Sequence, residues 1–291
     1  MANTDLLTAV HVAERNEYAE AIHLHRQAEI CQRLFSDRNV LILPIAGGTA
    51  IRTLSSFSWK LNRIAGLGMR RHVLLEKDLR DVQSTFASLD LYPQIHLCPL
   101  SDPSALRVLS SCGYTVSAFV NVYVCFLDDS SRVGRIDDYR NRDSGATDVV
   151  ISKAMTDQAE TFIQASIAGF RDNGRSPELL GVLAQIASLR EDTHLYFAKI
   201  GDQIVGTAAL AVMNTPHGEV AHLYLDSTAA EYRGKGVHRA MIEARLFDAK
   251  QLGVGFASLA TTPGSGSARN AEKAGFSLAY TKAIFTKQYG S

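Results

Sequence analysis

Apolar positions recur along this chain in short periodic segments separated by glycine and polar residues, a pattern that predicts alternating helices and strands. Over 13–35, Ala19, Ile22, Ala28, Ile30 and Leu34 sit among charged residues with no Gly or Pro, which predicts a helix. Two apolar runs follow, 40–46 and 49–54, parted by Gly47-Gly48, a two-residue hairpin signal. Beyond a stretch containing Gly66 and Gly68, the pattern predicts a helix over 76–89, a strand over 94–98, a helix over 102–111 and a strand over 116–127.

Residues 128–148 are polar and lack apolar periodicity, which places a domain boundary there. The expected division is a first domain over 1–130, a linker over 131–147 and a second domain over 148–291. The second half begins with a strand at 149–151 and a helix over 157–170. Ser176-Pro177-Glu178 then opens another helix, with serine as N-cap and proline at the first position. Strands over 195–200 and 203–212 meet at Gly201-Asp202, and a strand over 219–228 leads into a basic, glycine-containing turn. A helix over 236–252, a strand over 256–261, a Gly/Ser turn at 263–267, a short helix to Ala274 and a final strand over 277–287 complete the chain.

The two halves echo one another. Gly113-Tyr114 and Gly275-Phe276 each end a short helix and begin a strand, and the strands Ile95-His96-Leu97 and Ala257-Ser258-Leu259 precede them at the same separation. Duplication explains this better than chance, because the order of elements agrees as well. The fold class is therefore α+β (mixed α/β), with two tandem domains, each a mixed central sheet flanked by helices.

Composition narrows the function classes. At 46% hydrophobic and 21% charged residues the chain has material for real cores. Its 30 Lys and Arg balance 30 Asp and Glu, so no global field gathers a polyanion, and nucleic acid is not an expected partner. No apolar run is long enough to cross a bilayer, and the first residues lack the pattern of a signal peptide, so no membrane partner and a cytoplasmic location are expected. Cys31, Cys98, Cys112 and Cys125 form no C-x-x-C pair, and His23 and His25 diverge around a helix, so no metal is expected.

The most informative segment is 231–239, where Tyr232, Arg233, Gly234, Lys235 and Gly236 stand between an apolar strand and an amphipathic helix marked by Val237, Ala240, Met241, Ala244 and Phe247. The first N–H groups of a helix have no partner one turn back and carry the positive end of its dipole. Glycine there lets an anion approach the backbone, so the turn is a candidate phosphate cradle. The Walker spacing is absent.

Together with Asn270, Glu272, Lys273, Gly275 and Phe276 at a helix end, this arrangement resembles the GNAT superfamily of acyl-CoA-dependent N-acetyltransferases over about 148–291. The resemblance implies that the amides of Arg233, Gly234, Lys235, Gly236, Val237 and His238 hold the pyrophosphate of acetyl-CoA. By position, Asp226, Ser227 and Thr228 on the preceding strand, with Asn270, serve the pantetheine arm. His238 stands where the family has Gly or Ala. In the first half, Gly66 to Arg71 lacks the Arg-x-x-Gly order, which implies two tandem GNAT-like domains, the first degenerate and without coenzyme; Asn62 and Arg63 read chiefly as a polar strand end.

Transfer to an amine needs a base for the amine proton and a donor for the departing thiolate. Strict alternation would put His222, Tyr224 and Asp226 on one face of the strand and Ala221, Leu223 and Leu225 on the other. His222 takes the place of the family's carboxylate base, with Glu219 and Asp226 as substitutes. Ala271 stands where many relatives have the tyrosine donor; the resemblance implies Ser267 instead, which matches the serine of relatives whose helix reads Ser-x-x-x-x-Glu-Lys-x-Gly-Phe and is an N-cap serine by the plainer reading. The expected partner is a small-molecule amine, with a protein lysine or N-terminus, or a non-catalytic acyl-CoA sensor, as alternatives; a homodimer is left open.

Overall fold

The computed structural model describes residues 9–127, 149–170 and 174–288, so the expected linker at 131–147 lies outside the described residues. The chain divides into two compact units. Among the described residues, the N-terminal unit comprises 9–122, 215–218 and 279–288, and the C-terminal unit comprises 123–127, 149–170, 174–214 and 219–278.

In the N-terminal unit, helix α1 (Val10–Leu34) precedes strands β1 (Leu41–Ile45), β2 (Gly48–Arg52) and β3 (Arg63–Ala65). Helix α2 (Glu76–Phe86), strand β4 (Gln94–Leu97), helix α3 (Pro103–Ser111) and strand β5 (Thr115–Phe126) follow. β1, β2 and β3 pair antiparallel in sequence, and β3 pairs parallel to β4. The hairpin turn is Ala46-Gly47, with Ile45 opposite Gly48, one residue before the expected Gly47-Gly48. Ala46 and Gly47 both take positive φ, 40° and 78°, as a primed turn requires, and Gly48 joins the strand.

The C-terminal unit contains β6 (Val149–Lys153), α4 (Ala159–Gly169), α5 (Pro177–Ser188), β7 (Thr193–Ile200), β8 (Gln203–Thr215), β9 (Gly218–Thr228), α6 (Val237–Gln251), β10 (Phe256–Thr261) and α7 (Gly266–Lys273). Its strands lie in the order β10-β9-β8-β7-β6, with the end of β5 beside β10. The Ser176 hydroxyl caps α5 at Leu179 N (3.2 Å) with Pro177 in the first turn, as the sequence predicts. One face of this sheet buries Ala208, Leu210, Ala221 and Leu223 against Val237, Met241 and Leu246 of α6 and Ala268 and Ala271 of α7. A second cluster joins Phe162 of α4, Ala184 of α5 and Phe197 of β7.

The last strand, β11 (Ser277–Thr286), departs from the expected division. Its residues from Ala279 onward belong to the N-terminal unit, where β11 pairs antiparallel with β4 through Ala283↔Leu97, Ile284↔His96 and Phe285↔Ile95. β5 makes the converse move, since Tyr123 and the residues after it cluster with the C-terminal unit and Leu127 N donates to Gly255 O (3.0 Å). A buried ion cluster explains why β11 fits its place. Lys282 is fully buried between Glu17 and Glu20 of α1, with its ammonium 2.6 Å from Glu17 Oε1 and hydrogen-bonded to Glu20. Tyr280 donates to Glu17 (2.6 Å) and accepts from Asn16 (2.8 Å). Continuing the repeat from Gly113 and Gly275 puts Val120 of β5 at the position of Lys282, so only β11 carries the cation.

Burial works against the Lys282 charge, but the two carboxylates outweigh it and raise its pKa. Removing one member of a buried ion cluster strands the others. Lys282→Ala is therefore expected to lower the unfolding free energy by about 3–5 kcal/mol in urea titrations. The triple variant Glu17→Gln, Glu20→Gln, Lys282→Met should lose less than the single one; equal or greater loss in the triple would contradict this account of β11.

Candidate active site

The region singled out in the sequence lies where β9 leaves β10. The two strands pair in parallel only through Ala221↔Ala257 and His222↔Ser258, and beyond these β9 continues to Thr228 and β10 to Thr261 without pairing to each other. Strict alternation along β9 also fails. Leu225 has φ 57°, a left-handed conformation that is rare for a non-glycine residue. Leu223 packs in the α6/α7 core, yet Leu225 packs with Phe162, Ala184 and Phe197. A strand that locally changes its twist re-aims the side chains that follow it.

Asp226 is the side chain so re-aimed. It accepts hydrogen bonds from the guanidinium of Arg245, which is fully buried on α6 and also donates to Ala209 O (2.9 Å) and Met241 O (3.0 Å). Burial opposes the ionisation of Asp226, but Arg245 and His238 together hold its pKa below the ordinary value. A carboxylate committed in this way is a poor proton acceptor, which argues against Asp226 as the substitute base. Glu219, the other substitute, is exposed at the start of β9. Arg245 was missed in the sequence; its signal was a cation four residues after Met241, on the buried stripe that the expected list of Ala244 and Phe247 displaced.

Ser227 is buried, with its hydroxyl 2.7 Å from that of Thr207. It fits because residue 169 is glycine: a Cβ there would stand 2.3 Å from Ser227 Oγ. The Thr228 carbonyl accepts from Arg233 Nε (3.2 Å), and Arg233 Nη2 reaches Gly169 O (3.2 Å). The Arg233 side chain thus braces the turn to the end of α4. In the turn itself, Gly234 and Gly236 have φ 78° and 83°, and a Cβ built on either would meet nothing within 4 Å. Gly236 is the N-cap of α6, Val237 is buried beneath it, and Lys235 lies over the Tyr232 ring at 4.9 Å. The turn is an open, exposed surface at a helix N-terminus.

His238 turns inward from the first turn of α6. Its Nε2 lies 3.3 Å from Asp226 Oδ1 and its Nδ1 lies 3.0 Å from the Asn270 amide nitrogen on α7. Ser267 is not the cap of α7; Ser265 is, accepting from Ala268 N (3.1 Å). Among the described residues nothing pairs with the Ser267 hydroxyl, and the side chain is half-buried. Ala271 is fully buried in the core.

On the opposite face of β9, His222 Nδ1 is 3.1 Å from Ser258 Oγ, and the ring stacks on Tyr224 at 6.0 Å and 20°. Tyr224 in turn contacts Thr193 Oγ1 (3.0 Å), with the Arg190 guanidinium 5.8 Å from its ring centre and held by Asp192 through two bonds. Burial raises the Tyr224 pKa, so the phenol stays neutral. The sequence offered no sign of Ser258, whose role depends on two parallel strands aligning their residues.

The corresponding turn of the N-terminal unit is closed. Gly68 N donates to Ala46 O (2.9 Å), Gly68 O accepts from Asp102 N (2.7 Å), and α2 opens with Glu76 and Asp78, which repel an anion. Asn62 is buried and spent on Thr53, Leu54 and Ser58. Arg63 is half-buried near Glu20, and desolvation lowers its pKa.

Residues 160–276 match the family model described as "Acetyltransferase (GNAT) family". No curated protein matches the chain significantly in sequence. Among solved structures, the fold is similar to a GCN5-related N-acetyltransferase from Kribbella flavida, with TM-score 0.61 and 17% identity over 91% of this chain and 96% of that one. It is also similar to a conserved protein of unknown function from Staphylococcus epidermidis, with TM-score 0.56 and 12% identity over 88% of this chain and 96% of that one. A GCN5-related N-acetyltransferase from Sphaerobacter thermophilus aligns with TM-score 0.52 and 16% identity over 72% of this chain and 64% of that one. At these identities the likeness establishes the fold.

The Asp226–Arg245 pair has a pH signature. Because the folded pKa of Asp226 lies below the unfolded value of about 4, its stabilisation is complete above that pH and is lost as pH falls through the folded value. Asp226→Asn should cost about 3 kcal/mol at pH 7, by leaving Arg245 buried without its counter-ion, and should shallow the acid limb of stability. Unfolding curves between pH 7 and pH 2 test this; an unchanged acid slope would reject it.

Proposed function

We propose that this member of the acetyltransferase (GNAT) family, matched over residues 160–276, transfers an acetyl group from acetyl-CoA to the amine of a small molecule. The observation that carries the reading is the open Gly234–Gly236 turn at the head of α6, beside a strand that has parted from its neighbour. Acetyl-CoA fits this turn chemically. The amides of Gly234, Lys235, Gly236, Val237 and His238 stand at the positive end of a helix where no Cβ blocks the backbone, and they would hold the diphosphate. Lys235 adds positive charge, whereas Arg233 acts through the shape of the turn. Asp226, Ser227 and Thr228 contribute backbone groups of the parted strand, because the side chains of Asp226 and Ser227 are already engaged.

Acetyl-CoA supplies an activated acyl carbon and a thiol leaving group. His222 takes the amine proton at Nε2, a role that requires Nδ1 to carry the hydrogen and donate it to Ser258 Oγ. Tyr224, neutral and stacked on the ring, holds the imidazole in place. Ser267, whose hydroxyl has no partner among the described residues, donates to the departing sulfur. The small-molecule reading is supported by the even balance of 30 basic and 30 acidic residues, which favours neither strongly basic nor strongly acidic acceptors.

The test is calorimetric titration of acetyl-CoA, followed by thiol release against panels of small amines and of peptides. The protein's own thiols do not interfere, since all four cysteines are buried and burial pushes Cys31 and Cys98 up to about 12. Turnover of peptides alone would favour a protein acetyltransferase, and binding without turnover a sensor. Gly236→Val should weaken acetyl-CoA binding at least about tenfold, because a β-branched residue resists the required φ and its side chain intrudes on the turn. His222→Ala should lower turnover by about 10²–10⁴-fold and abolish the basic-form limb of the pH–rate profile while sparing coenzyme affinity. An unaltered profile would remove His222 from the role.

A further inference from the structure

Arg245, Asp226, His238 and Asn270 form one chain of polar contacts across α6, β9 and α7. Arg245 only donates, and it keeps Asp226 ionised. A carboxylate only accepts, so His238 Nε2, 3.3 Å away, must carry the hydrogen. Asn270 sets its amide nitrogen, which only donates, 3.0 Å from Nδ1, so Nδ1 is the acceptor nitrogen of the ring. Its carbonyl oxygen is left without a partner among the described residues, on a half-buried side chain.

We propose that His238 is a positioning residue for coenzyme binding: it fixes the Asn270 amide so that Oδ1 is presented as an acceptor to an N–H group of the pantetheine arm. This rests on the reading that the Gly234–His238 turn receives the coenzyme. Pantetheine carries two amide N–H groups, whereas the nucleotide end offers phosphate acceptors to the turn. The imidazole, at a place where glycine or alanine would leave Asn270 free to rotate, thereby selects the polarity of the group that Asn270 recognises. Groups facing His238 are Asp226 from β9, Asn270 from α7 and, through Asp226, Arg245 of α6, while Arg239 beside it is paired with Glu243.

The experiment uses the full chain and two probes: coenzyme A, and 3′-phosphoadenosine 5′-diphosphate, which lacks the arm. His238→Ala, which keeps the backbone amide of the turn, and the isosteric Asn270→Asp should each weaken coenzyme A about tenfold, the value of one hydrogen bond, and by a larger factor than they weaken the armless nucleotide. His238→Gln, whose amide can donate to Asp226 and accept from Asn270, should restore coenzyme A binding. Nitrogen-15 shifts should report His238 as the neutral Nε2–H tautomer. Equal loss for both probes would place His238 on the phosphates and overturn the proposal, as would unchanged affinity in both variants or the opposite tautomer. A wild-type protein that binds neither probe would instead overturn the coenzyme reading on which the proposal rests.

Discussion

The left-handed residue in β9 is the constraint on which the site depends. Leu225 adopts φ 57°, at a cost of about 1–3 kcal/mol for a non-glycine residue, and is kept there by packing with Phe162, Ala184 and Phe197. From that point the strand presents different side chains to its two faces. Leu225 moves to the α4/α5 side, and Asp226 turns toward α6, where a buried guanidinium waits for it. The break separates the face that carries His222 and Tyr224 from the ionic chain that reaches the phosphate turn. A regular strand would have kept Asp226 on the face that carries His222 and Tyr224, away from the guanidinium of Arg245.

The glycine turns of the two units differ in ways visible in their hydrogen bonds. At Gly234–Gly236 both left-handed residues face open space, and the helix behind them has no acid in its first turn. At Gly68 the backbone N–H and C=O are consumed by Ala46 and Asp102, and the next helix begins with acidic residues. Backbone amides bind anions only while they remain unclaimed, so a single closing contact silences a turn without any change in its glycine content.

The exchange of terminal strands follows from complementarity rather than from sequence proximity. β5 and β11 begin alike, with a glycine and an aromatic residue after a short helix, and either pattern suits a sheet edge. What suits β11 to its place beside α1 is a pair of residues, Tyr280 and Lys282, where β5 has Ala118 and Val120. An apolar strand there would deprive two buried carboxylates of Lys282, leaving Arg63 near Glu20 and no such neighbour for Glu17 among the described residues. Buried charge here sets the identity of the strand.

Local signals in the sequence determined most of the elements: the serine–proline start of α5, the Gly201-Asp202 hairpin, the length of α1, and the glycine turn before α6 with its likeness to a family of acyltransferases. These depend on residues within one or two turns of each other, and short-range chemistry is written in order along the chain. Only the tertiary structure decided that Leu225 breaks the alternation, that Ser265 rather than Ser267 caps α7, and that His238 faces Asp226 and Asn270. Tertiary structure alone likewise put β11 with the first unit. Each of these is settled by partners distant in sequence, such as Arg245 for Asp226 or Glu17 for Lys282, and a linear pattern records that a charge is present without recording what it meets.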